Sequence, residues 1–144
     1  MKILNRILTL AGVTFINVAV SYACTCIGPG NATEAVELSE AVFSGRVISS
    51  NKFQATVELE RTWKGKFTRA RVVVFNPDPN GSCSMTLRRG ERYIVFAGED
   101  KEKGKVSYIP RICFPTSVLS KAGQTLKEIG EGVQFKKRVR SARS

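Results

Sequence analysis

The residues best placed to do chemistry stand near the start of the chain: Cys24-Thr25-Cys26, directly behind an apolar run that ends in Ser21-Tyr22-Ala23. Met1, Lys2 and Arg6 form a charged beginning, Ile7 to Val20 an apolar middle, and Ser21 and Ala23 a small-residue cleavage site, so residues 1–23 read as a secretion signal. Crossing a membrane takes about 20 apolar residues, whereas this run is shorter and is interrupted by Thr9, Thr14 and Asn17. Cleavage after Ala23 makes Cys24 the first residue. Its free α-amine and its own carbonyl oxygen are then spaced to close a chelate ring around a metal ion. An amine with a pKa of about 7.7 to 8.0 is partly unprotonated near neutral pH and can donate to zinc.

The zinc that suits such a ligand is a catalytic one, held by three protein ligands with water in the open position. Displacing that water removes the group the metal activates for attack on a peptide bond. The expected function is therefore inhibition of a metalloprotease, with Cys24 as the residue that meets the metal.

The mature part holds all four cysteines, Cys24, Cys26, Cys83 and Cys113. An even number in an exported chain reads as two disulfides, with three possible pairings. A Cys24–Cys26 bridge would close a very tight ring, so each is expected to reach a distant partner. Thr25 is then held in one orientation between two staples and can enter a pocket beside the zinc at little further ordering cost. Cysteines in disulfides are neither thiolate nucleophiles nor ligands, and histidine, a common general base and metal ligand, is absent. No catalytic residue is expected. The chain is read as a non-enzyme without a cofactor of its own, contacting zinc only in its target.

The first 23 of 144 residues removed, 121 remain, enough for one domain with a core. With Lys2 and Arg6 gone, 21 basic and 12 acidic side chains leave a formal charge of +9 (21 − 12). Strands must position the cysteines. Phe53, Ala55, Val57 and Leu59 alternate with Gln54, Thr56, Glu58 and Glu60, the pattern of a strand with one wet face. Residues 41–48 form a strand before it, with Gly45 marking a bulge or bend, and residues 49–52 the hairpin loop between them. Residues 71–75 and 92–97 are continuous apolar runs, as when both faces are covered, and residues 105–109 follow a charged turn from Gly98 to Gly104. Five short strands without alternating long helices predict a mainly β, closed barrel. Thr33 is expected to cap a short helix through Glu40. Val118, Ala122, Leu126 and Ile129 predict a second helix over 117–129, ended by Gly130.

Cys24-Thr25-Cys26 followed by Ile27 and Pro29 resembles the mature N-terminus of the tissue inhibitors of metalloproteinases. Glu60-Arg61-Thr62-Trp63-Lys64-Gly65 is similar to the aromatic-Lys-Gly segment after their second strand, and the spacing of Cys83 and Cys113 with the helix behind them extends the likeness from Cys24 to Gly130. The resemblance implies a netrin-like module on a five-stranded OB-fold-like closed barrel with one or two flanking helices, and disulfides Cys24–Cys83 and Cys26–Cys113. It implies that the Cys24 amine and carbonyl grip the protease zinc and that Thr25 fills the primed-side pocket. Cys26, Ile27, Asn80, Gly81, Ser82 and Ser84 are implied as further protease contacts. A third disulfide of the vertebrate inhibitory domain and the cysteine-rich second domain have no counterpart, and the first hairpin loop is short.

The domain reading is thus a signal at 1–23, a netrin-like inhibitory domain at 24–131, and a basic, disordered tail at 132–144. Lys136, Lys137, Arg138, Arg140 and Arg143 in that tail suit heparan sulfate or another acidic matrix. The expected protein is a secreted extracellular monomer whose partners are zinc metalloproteases of the matrix-metalloproteinase kind, with no nucleic-acid partner and no membrane span. The rival reading is a netrin-like binding module acting through its basic surface on glycosaminoglycan, matrix or a receptor, without inhibition. A free amine on Cys24 separates the two. Asn31-Ala32-Thr33 and Asn80-Gly81-Ser82 match the glycosylation acceptor pattern.

Overall fold

The computed structural model describes residues 24–136. The secretion signal read into residues 1–23, and Lys137, Arg138, Arg140 and Arg143, lie outside the described residues.

Five strands close on themselves. β1 (Ala41–Ser50) pairs with β2 (Gln54–Lys64), β2 with β3 (Arg71–Phe75), β3 with β5 (Lys105–Pro110), β5 with β4 (Arg92–Glu102), and β4 back onto β1. All of these pairings are antiparallel except that of β3 with β5. The predicted barrel of OB type is present, with two helices and two disulfides. Among the described residues no helix is long and apolar enough to cross a membrane.

β1 pairs with β2 along one edge and with β4 along the other, and it carries the bend between them. The register slips between Ser44 and Gly45, and a side chain at Gly45 would collide with the Glu58 carbonyl and with Val57. Glycine alone allows that approach, so the expected bulge is real.

Alternation along β1 and β4 fills two cores. Phe43, Val47, Tyr93 and Val95 point into the barrel with Val57, Leu59 and Val74, while Val42, Ile94 and Phe96 point out beneath the helices. The run at 92–97 is apolar throughout because both of its faces are covered. Each of these large buried side chains contributes about 1.5 to 3 kcal/mol relative to exposure. The run at 71–75 differs: Val72 and Val74 are buried, but Arg71 is exposed and Val73 and Phe75 are half-buried.

Several boundaries differ from expectation for local reasons. α1 (Ala32–Leu38) is capped by Asn31, whose side chain accepts from the Glu34 N–H at 2.8 Å, so Thr33 lies inside the helix. The first hairpin turn sits at 51–53, because Asn51 Oδ1 accepts from the N–H groups of Phe53 and Gln54. Phe53, expected inside, is consequently 57% exposed at the tip. β4 and β5 run through the expected charged turn and reverse only at Lys103-Gly104, both at positive φ, the conformation a two-residue hairpin requires. The helix expected over 117–129 is in fact a short strand β6 (Ser117–Val118) against β4, a single 3₁₀ turn, and α2 (Gly123–Ile129). Gly130, at φ 75°, stops it as expected.

The segment read as a disordered tail from residue 132 begins as part of the fold. β7 (Val133–Gln134) pairs with Thr62 and Arg61 of β2. The Phe135 N–H donates to the Glu60 carbonyl, and its ring packs on the barrel core. Apolar Val133 and Phe135 at spacing two were the missed strand signal.

Candidate functional site

Residues 24–30 contain no helix or strand, so their position comes from the two bridges. Cys24 is bonded to Cys83 and Cys26 to Cys113, with Cα separations of 5.6 and 5.2 Å. The pairs anchor the segment to two different loops, one between β3 and β4 and one between β5 and β6. Thr25 and Cys26 are exposed, and Ile27 is 93% exposed. The result is a ridge whose side chains face outward while its backbone is pinned on both sides.

Gly28 explains how the ridge lies so close to its second anchor. A side chain there would strike the Cys113 carbonyl oxygen, so the Cys26–Cys113 bridge requires glycine two residues on. Cys113 itself adopts φ 68°, an uncommon backbone for a residue with a β-carbon. Ile112 beside it is 41% exposed, adding an apolar side chain to this end of the ridge.

The first anchor is organised by two residues that sequence reasoning missed. Asn76 donates through Nδ2 to the Lys52 carbonyl and to Ser84 Oγ, both at 3.0 Å, and accepts from the N–H groups of Asp78 and Met85. One side chain thereby joins the first hairpin to both ends of the turn at 76–85. Asp78 Oδ2 accepts from the Cys83 N–H at 3.2 Å, and any side chain at Gly81 would run into the same carboxylate. The Asn76-Pro77-Asp78-Pro79 run was the available signal, since Asn-Pro and Asp-Pro start turns.

Of the candidate contact residues, Asn80, Gly81, Ser82 and Ser84 are exposed in the loop that carries Cys83. The bridge to Cys83 ties that loop to Cys24, the start of the ridge. Asn31, in the other acceptor motif, uses its side-chain oxygen as a helix cap. Lys136 is exposed and follows Phe135 beside β2; it is the one member of the basic cluster within the described residues.

Trp63 and Lys64 hold structure together. The indole Nε1 donates to the Gly130 carbonyl at 2.9 Å, joining β2 to the end of α2. Lys64 Nζ donates to the Val36 and Glu37 carbonyls at 3.0 and 2.7 Å, placing a cation at the C-terminus of α1 where the helix dipole favours it.

Among the described residues, no three His, Cys, Asp or Glu side chains group to hold a metal ion. What the ridge offers a metal is backbone: the Cys24 carbonyl, and the Cys24 amine if the chain is cut before it. Compared with known proteins, the chain matches no family model and no curated protein sequence.

Proposed function

We propose that the chain, cut after Ala23, is a secreted inhibitor of zinc metalloproteases that acts through its first residues. The Cys24 amine and carbonyl oxygen bind the open position of the target's catalytic zinc and displace its water. Thr25 enters the primed-side pocket beside the metal. Cys26, Ile27, Asn80, Gly81, Ser82 and Ser84 form the surrounding contact. The chain supplies no catalytic group.

One observation carries this reading: a ridge at 24–27, exposed to solvent yet bridged to two separate loops of a closed barrel. A segment already ordered before binding loses little conformational freedom on entering a cleft, so more of its contact energy appears as affinity. An exposed Thr25 between two bridged cysteines suits insertion into a pocket better than packing on its own barrel. Fixed geometry also aims the amine and carbonyl of one residue at one point.

The test is a titration of the oxidised chain starting at Cys24 against a panel of zinc metalloproteases. Tight stoichiometric inhibition, weakened at least tenfold by Thr25→Arg through a clash in the pocket, is the expected result. Absence of inhibition across the panel would leave a barrel that binds through its basic surface.

A further inference from the structure

Four asparagines lie among the described residues, and their surroundings set how readily each could lose its side-chain amide. The loss begins when the backbone nitrogen of the next residue attacks the asparagine Cγ. Hydrogen bonds that fix either group hold it back, and so does a side chain crowding the attacking nitrogen. Asn76 precedes Pro77, which has no N–H to give up. Asn31 Oδ1 is engaged as the cap of α1, and the Ala32 N–H that would attack donates to Glu128 at 2.7 Å. Asn51 Oδ1 accepts from the N–H groups of Phe53 and Gln54, and Lys52 follows it.

Asn80 lacks these restraints. It and Gly81 are both exposed, and its side chain makes no hydrogen bond among the described residues. The Gly81 N–H has only a long bond, 3.3 Å, to the Asp78 carbonyl. Glycine sets no side chain beside the attacking nitrogen and turns freely into the backbone conformation that ring closure needs. The product would stand in a sensitive place. The Asp78 carboxylate lies against Gly81, and its Oδ2 accepts from the N–H of Cys83, the residue that holds Cys24.

We propose that Asn80-Gly81 is a self-modification site, where loss of the amide through a cyclic imide loosens the first anchor of the ridge. The Gly81 nitrogen bonds to Asn80 Cγ as the Cγ–Nδ2 bond breaks, and the proton of that nitrogen leaves with Nδ2 as ammonia. Water then opens the ring. Breaking the bond from nitrogen to Cγ gives aspartate; breaking the bond to the backbone carbonyl carbon gives isoaspartate, whose main chain is longer by one methylene. Either product adds a carboxylate two residues from Asp78, and the two like charges repel. Isoaspartate also shifts Gly81 from its seat against the Asp78 carboxylate. The consequence for protease binding rests on the inhibitor reading above, whereas the chemistry and the loosened anchor do not.

The experiment ages the oxidised chain, beginning at Cys24 and produced without glycosylation, in mildly alkaline buffer and follows it by peptide mass mapping and by enzymatic methylation of isoaspartate. Ammonia is expected to leave Asn80 well ahead of Asn31 and Asn51, faster as pH rises, with isoaspartate outweighing aspartate. Asn80→Gln should stay intact, since its side chain must close a larger ring. Hydrogen exchange at the Cys83 amide should quicken in the aged chain and, in part, in fresh Asn80→Asp. A protease that the fresh chain inhibits should be inhibited about threefold more weakly by the aged one. Conversion no faster at Asn80 than at Asn31 or Asn51, or aspartate without isoaspartate, would overturn the proposal. So would unchanged Cys83 exchange or equal inhibition after full conversion. A fresh chain that inhibits no protease would remove the inhibitor reading instead, and the mapping and exchange results would still decide this one.

Discussion

Residues 24–30 leave the barrel without joining a strand or helix, with Ile27 93% exposed, and are held by two disulfides. Residues 130–135 have no covalent tie; they are held by the Trp63 hydrogen bond to Gly130, the short pairing of β7 with β2, and the packing of Phe135. Ordering either segment costs about 1 to 2 kcal/mol per residue. The later segment offsets that cost by burying apolar surface and pairing its backbone. The earlier one buries little apolar surface, and its backbone makes one hydrogen bond, from the Gly30 N–H to Glu34 Oε2 at 2.7 Å. Covalent closure is the remaining means of ordering a segment whose side chains and backbone are kept free, and that is the condition a binding ridge must meet.

The comparison breaks first at the bridges. Replacing Cys26 and Cys113 by serine opens an 87-residue separation and is expected to cost about 4 to 5 kcal/mol in the chain-entropy model, read as a lowered denaturant midpoint. The ridge should gain fast backbone motion, read as lowered ¹⁵N order parameters at Thr25 and Ile27, while β7 keeps its exchange protection. Trp63→Ala attacks the other end. It removes packing between β2 and the helices and is expected to cost about 3 kcal/mol, with exchange at Val133 to Phe135 rising and the ridge unchanged.

Gly132→Ala sharpens the same contrast at lower cost. Gly132 stands at φ 67°, and an added methyl would lie 2.6 Å from the Trp63 ring. A loss of about 1 to 2 kcal/mol is expected in thermal or denaturant unfolding, with inhibition by the ridge unaffected. Lys64→Met should cost about 0.5 to 1 kcal/mol by leaving the α1 carbonyls without their cation, detectable as faster exchange in α1.

The smallest effect concerns pH. Glu128 accepts the Ala32 N–H at 2.7 Å and a Gln124 amide hydrogen at 3.1 Å, and these bonds, the backbone one foremost, hold its carboxyl below the usual value near 4.5. A depressed carboxyl stabilises the fold above its ordinary pKa, and that contribution disappears as pH falls through the lower folded value. The stability difference between the native chain and Glu128→Gln is therefore present at neutral pH and vanishes in acid. A difference that grows as pH falls would contradict it.

The barrel was legible because its signals are periodic. Alternation at Ala55, Val57 and Leu59, the two-faced apolar run at 92–97, and Gly45 inside a strand each report one strand's environment. What escaped depends on single side chains reaching across the sequence. Asn76 tied the first hairpin to the turn at 76–85, and Lys64 capped a helix some thirty residues earlier; neither partner can be read from the neighbouring residues, whereas Asn51, which moved the hairpin turn, bonds amides only two and three residues on. β7 escaped because its signal is a single alternation, Val133 and Phe135, directly ahead of a basic run. The ridge was legible by composition, as cysteines around one residue behind an apolar run read as a secretion signal, but Gly28 beneath the Cys113 carbonyl follows only from the folded geometry.

The most direct measurement compares two oxidised forms of the chain, one beginning at Cys24 and one carrying a single extra alanine before it. Both keep the ridge, the bridges and the barrel, but the extension converts the Cys24 amine into a peptide nitrogen that no longer donates to zinc. The expected result is tight inhibition of a zinc metalloprotease by the first form and a loss of at least a hundredfold in the second. Equal inhibition by both forms would contradict chelation by Cys24.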